Sequence, residues 1–99
     1  MHIISRKALQ DFYNAPGNES SKVALEMWRK HVEKAEWRNL ADIKKDYPSA
    51  DYVGNDWYVF NIHGNSFRLV VVVIFVSHKV LIRWVGRHKD YDKIDCTTI

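Results

Sequence analysis

Three late segments, "WYVFNI", "SFRLVVVVIFV" and "KVLIRWV", are dominated by β-branched and aromatic residues and separated only by "HGN" and "SH". Such residues suit a pleated, half-buried surface, and connections this short can join only neighbouring antiparallel strands. A meander of this kind has one apolar face that must be covered. The residues before Trp57 supply the cover, because their apolar period is helical. From Ser21, the residues Ala24, Met27, Trp28, His31, Val32 and Ala35 recur at helical spacing, with Glu26 and Lys30 placed for an i,i+4 ion pair on the outer side. "RKALQDFY" predicts an earlier helix with Ala8, Leu9 and Phe12 turned inward. "NLADIKKDYPS" predicts one or two helical turns capped by Asn39 and stopped by Pro48. "NAPGNESS" reads as the loop between the first two helices, with Asn18 or Ser20 available as N-cap, and "MHIIS" as a short strand. The expected fold class is α+β, with N-terminal helices packed on one face of a twisted, mainly antiparallel sheet.

At 99 residues the chain is expected to form one domain, residues 1–99, burying roughly two-thirds of its unfolded surface. A net charge of +3 permits a polyanionic partner without requiring one. The longest apolar run, Leu69 to Val76, is far short of the ~20 residues of a membrane helix, and "MHIISRKALQ" has no apolar core of a signal peptide. A soluble, cytoplasmic protein with no membrane partner is the expectation. The single cysteine, Cys96, excludes an intramolecular disulfide and a thiolate zinc site. His2, His31, His63 and His78 show no metal-ligand spacing, and there is no Gly-rich phosphate loop, paired acid or Ser-His-Asp constellation, so neither metal nor cofactor is expected.

Strand parity then locates the cations. With Ser77-His78 as a two-residue turn, Val76 would pair with Lys79, Val72 with Arg83, and Arg68 with Arg87. Phe67, Leu69, Val71, Val73, Phe75, Val80, Ile82 and Trp84 would form the helix-packed side, while Arg68 and Arg83 point together from the other. The segment "RWVGRHKDYDKI" would close a cationic pocket there, with Arg87, His88, Lys89 and Tyr91 leaving the sheet beside Arg68. Taken singly, each cation at a strand end reads as a solvated edge protector, Tyr91 as a packing ring and His88 as a surface histidine. Their convergence is what suggests chemistry. Arginines can stabilise a phosphorane-like anion, and histidine, tyrosine or lysine can move protons to and from the attacking and leaving oxygens. Those are the parts of a metal-independent ribonuclease, in which the RNA 2′-hydroxyl is the nucleophile.

The succession "DYPSADYV", "WYVFNIHGNSFRLVVVVIF" and "VLIRWVGRHKDYDKI" closely resembles the HigB toxins of bacterial type II toxin–antitoxin modules, within the RelE-like group. The hairpin "YVFNIHGNSFR" and the terminal "H-x-x-Y-D" are its most specific pieces. The resemblance implies a RelE-like fold and an mRNA interferase that cuts mRNA on the translating ribosome and inhibits translation. It also implies a HigA-type antitoxin carrying a helix-turn-helix domain. The matching positions are Asn61, Gly64, Asn65, Arg68, Arg83, His88, Tyr91 and Asp92. On this reading Arg68 and Arg83 bind the scissile phosphate, and His88 and Tyr91 are acid/base candidates or stack on a base. Arg87, Lys89, Asn61 and Asn65 are candidate RNA contacts. The alternative function is a non-catalytic RNA- or ribosome-binding module that blocks translation by occupancy.

Overall fold

A computed structural model describes residues 1–94; Cys96 lies outside the described residues. The order is β1 (His2–Ile4), α1 (Lys7–Asn14), a 3-10 turn (Glu19–Ser21), α2 (Lys22–Lys34), α3 (Leu40–Asp46), β2 (Asp51–Gly54), β3 (Trp57–Ile62), β4 (Phe67–Ile74), β5 (Lys79–Arg87) and α4 (His88–Tyr91). This is the expected α+β arrangement.

Each helix forms where its sequence offers an apolar stripe or a cap. α1 buries Leu9 and Tyr13, one turn apart, with Ala8 and Phe12 packed partly behind them. α2 buries Leu25, Trp28 and Val32, a stripe rotated from the expected one: Met27 is 67% exposed, and His31 is also exposed. Glu26 is not held by Lys30. The guanidinium of Arg29 takes its carboxylate at 2.9 Å and reaches Glu33 at 2.6 Å, because the planar Arg fork can satisfy two carboxylates from one side chain. Neither Asn18 nor Ser20 caps α2 through its side chain; the cap position is Ser21, whose hydroxyl donates to the Asn18 carbonyl at 2.7 Å. Asn39 does cap α3, accepting from the Asp42 N–H at 3.0 Å, and Pro48 follows the C-cap residue Tyr47.

The sheet has the order β1-β5-β4-β3-β2, antiparallel from β2 to β5, with β1 parallel to β5 at one edge. Its inner face carries Tyr58, Phe60 and Ile62 from β3, Phe67, Leu69, Val71 and Val73 from β4, and Val80 and Ile82 from β5. Phe60 is the hub of this core. It stacks on Trp37 at 6.0 Å and meets Trp28 and Tyr47 edge-on at 5.5 and 5.2 Å, so α2, the α2–α3 link and the end of α3 all converge on one strand.

The β4–β5 register departs from the expectation in two places. The turn is Phe75–His78, closed by the His78 N–H to the Phe75 carbonyl at 3.1 Å, so Ile74 rather than Val76 faces Lys79 and Val72 faces Leu81. Further along, Val71 pairs with Ile82 and the adjacent Val70 with Trp84, which leaves Arg83 as an extra residue in a β-bulge. The bulge inverts parity beyond it. Arg68 therefore faces Gly86 instead of Arg87, and Trp84, expected in the core, lies on the opposite face with Val70.

Tyr47 also links α3 to α2, its hydroxyl lying 3.1 Å from His31 Nδ1. Burial, and then the Asp46 carboxylate, push its phenol up to about 12 from an ordinary 10.0. A phenol that ionises later in the folded than in the unfolded chain contributes stability that is intact below pH ~10 and lost as pH rises towards 12. Tyr47→Phe should therefore flatten the alkaline fall in Tm across that window. An identical fall in both proteins would show that Tyr47 is not the group being titrated.

Candidate active site

The outer face of the sheet is built from three cross-strand rows. Asn61, Arg68 and Gly86 form the first, Val59, Val70 and Trp84 the second, and Trp57, Val72 and Leu81 the third, with bulged Arg83 beside it. Val59 and Val70 are buried, which gives the cationic surface an apolar floor. Charges held against such a floor are less screened than on an ordinary surface.

Arg68 is half-buried, and its guanidinium lies 6.0 Å from the centroid of the Tyr91 ring. Its Nη1 is enclosed and has no hydrogen-bond partner among the described residues. An unsatisfied buried donor costs about 1–3 kcal/mol. A cation–π contact at this range recovers roughly 0.5–1 kcal/mol. Trp28 Nε1, under the helices, is the other buried side-chain donor with no partner among the described residues.

Tyr91 reaches this position because β5 runs straight into α4. The His88 N–H donates to the Ser66 carbonyl at 3.1 Å, tying the start of α4 to the β3–β4 turn. One helical turn later Tyr91 comes back over the outer face, its ring 6.2 Å from Trp84. Arg83 is exposed and stands over the Trp57 ring at 5.5 Å. Arg68, Arg83 and Tyr91 thus share one face, as expected.

The other candidates are dispersed. His88 is exposed at the start of α4, with Nε2 4.0 Å from Asp92 Oδ2. Lys89 is exposed on the same short helix, Asn65 is exposed in the β3–β4 turn, and Asn61 is half-buried beside Arg68. Arg87 is on the wrong face for the expected pocket. Beyond the bulge it follows Phe67 onto the helix side, crosses that ring at 5.4 Å, and donates to the Gly17 carbonyl and, at 3.3 Å, to Asn18 Oδ1. It clasps the loop between α1 and α2. Trp57, Trp84 and Gly86 enter the site unexpectedly. The i,i+2 spacing of Trp84 and Gly86 puts them on one face, but only the bulge at Arg83 makes that face the outer one.

Residues 21–94 match the family described as HigB_toxin, RelE-like toxic component of a toxin–antitoxin system, a span that contains every outer-face residue named above. The chain belongs to the HigB toxin family. It is 38% identical over 96 residues to the mRNA interferase toxin HigB of Escherichia coli K12, covering 93% of this chain and 88% of that one. The mRNA interferase HigB of Shigella flexneri matches to the same extent. That of Escherichia coli O6:H1 is 24% identical over 96 residues, covering 95% of this chain and 91% of its own. Membership gives the protein its general function, the toxic half of a toxin–antitoxin pair, and its helix-covered sheet is the RelE-like fold. Among the described residues, no helix is long and apolar enough to cross a membrane.

The two arginines should separate in a stability measurement. Arg87→Met removes the clasp on Gly17 and Asn18 and should cost about 1 kcal/mol in urea unfolding. Arg68→Met removes an unsatisfied donor and should be neutral or stabilising. A loss at Arg68 as large as that at Arg87 would make its guanidinium a structural group.

Proposed function

We propose that this HigB toxin is a ribosome-dependent mRNA interferase, an endoribonuclease that needs no metal in its catalytic step. The observation that carries the reading is the half-buried Arg68 guanidinium beside the Tyr91 ring, its Nη1 without a hydrogen-bond partner among the described residues, on a face where Arg83 adds a second cation. A guanidinium offers the planar fork that phosphate oxygens match, and Arg83 on the same face is exposed to a ligand.

In the proposed reaction the RNA 2′-oxygen attacks the adjacent phosphorus as its proton passes to a base. The P–O5′ bond breaks, and the leaving oxygen takes a proton from an acid. Arg68 and Arg83 neutralise the dianionic intermediate, a role that needs no movement at the moment of reaction. Tyr91 and His88 are the acid/base candidates, and Asp92, 4.0 Å from the imidazole, is proposed to orient it. Lys89, Asn61 and Asn65 are proposed RNA contacts around them. Arg87, turned to the helix side, is assigned to holding the α1–α2 loop. The names of the relatives, mRNA interferases, support the substrate class. A HigA-type helix-turn-helix antitoxin is the proposed restraint.

The products should be a 2′,3′-cyclic phosphate and a free 5′-hydroxyl. End-group analysis of mRNA cut in a translating extract reads this directly, and 5′-phosphates would mean that an activated water, not the 2′-oxygen, is the nucleophile. Stalled ribosomes with intact message would instead establish a binder that acts by occupancy. Arg68→Ala should slow single-turnover cleavage by roughly 10²- to 10³-fold in a folded protein. Tyr91→Phe should slow it on the order of 10²- to 10⁴-fold if the hydroxyl transfers a proton, and little if the ring only stacks.

A further inference from the structure

Gly86 sits in β5 directly across from Arg68. Its backbone has no positive φ, so nothing in its conformation demands glycine. The reason lies two residues back. A Cβ on Gly86 would run into Cη2 and Cζ2 of Trp84 and come within 3.2 Å of Cε2, because the indole of Trp84 lies flat along the strand over the Gly86 backbone. These atoms belong to a rigid ring, so the clash is relieved only by moving the whole indole. The Tyr91 ring lies 6.2 Å from that of Trp84 between centroids, tilted by 49°, and the Arg68 guanidinium lies 6.0 Å from the Tyr91 centroid.

We propose that Gly86 and Trp84 form a positioning device that sets Tyr91 against Arg68. The bulge at Arg83 brings Trp84 to the outer face, the missing Cβ of Gly86 lets the indole lie down, and the indole then limits where the Tyr91 ring can settle. α4 is a single turn of four residues, too short to fix a side chain by its own backbone. Trp84 and Gly86 touch no reacting atom in this scheme; they act through Tyr91. The inference rests on the proposed nuclease role of Tyr91 and adds the residues that hold it in register.

Gly86→Ala is the sharp probe, since its backbone accepts alanine and only the indole must move. It should slow single-turnover cleavage on programmed ribosomes on the order of 10²-fold, the loss expected when a reacting group is displaced by about 1 Å. Ribosome affinity should stay unchanged. Trp84→Ala should slow cleavage by a similar factor. Gly86→Ala added to Trp84→Ala should cost nothing further, because the clash is gone; this non-additivity is the signature of one device. Trp84→Phe, which keeps a ring, should recover most of the rate. Independently of activity, the Tyr91 ring proton shifts in NMR spectra should move in Gly86→Ala. If Gly86→Ala fails to fold, the Trp84→Ala and Trp84→Phe pair with the same NMR readout decides the matter. Additive losses, or unmoved Tyr91 resonances in folded Gly86→Ala or Trp84→Ala, overturn the positioning device. Full cleavage by Tyr91→Ala would instead overturn the role of Tyr91 itself, which the NMR result distinguishes.

Discussion

One extra residue in β5 decides what the outer face of this protein can do. With Arg83 bulged out between the Ile82–Val71 and Trp84–Val70 pairs, parity inverts for the rest of the strand. Trp84 and Gly86 are delivered to the outer face, Val85 and Arg87 to the helix side. In an unbroken ladder Arg87 would join the cationic face and Trp84 would enter the core. A bulge also increases local twist, which suits a strand that must turn at once into α4.

The two faces carry different burdens. The inner face supplies stability: Phe60, Phe67, Leu69, Val71 and Val73 are buried under the helices, and the aromatic cluster on Phe60 makes removal of that ring worth about 3–5 kcal/mol. This reserve lets the outer face carry a guanidinium whose Nη1 has no hydrogen-bond partner among the described residues.

Much of this was legible in the sequence. The period change at Trp57, the short connections and the Asn39 cap predict the helices, the meander and the covered face, since each is a local signal. The shared face of Arg68 and Arg83 was legible too, because the four-residue Phe75–His78 turn moves the pairing by two and so preserves parity. The bulge was not. No glycine or proline marks Arg83, and a single inserted residue leaves no trace in composition or period. Every error near the site, Arg87 outward and Trp84 inward, follows from that one residue. The rotated stripe of α2 has a different origin: Met27 and Leu25 are equally apolar on paper, and only the shape of the sheet beneath chooses Leu25.

On the proposed reading the outer face, not the helical one, receives the message. A structure of the protein on a ribosome programmed with mRNA bearing a 2′-O-methyl group at the cleavage position would test it most directly, because the blocked nucleophile holds the uncut strand in place. The account predicts the scissile phosphate within hydrogen-bond distance of the Arg68 guanidinium, with Tyr91 beside it and Arg83 on the same side of the strand. An mRNA path across α2 and α3, with Arg68 facing no phosphate, would contradict it.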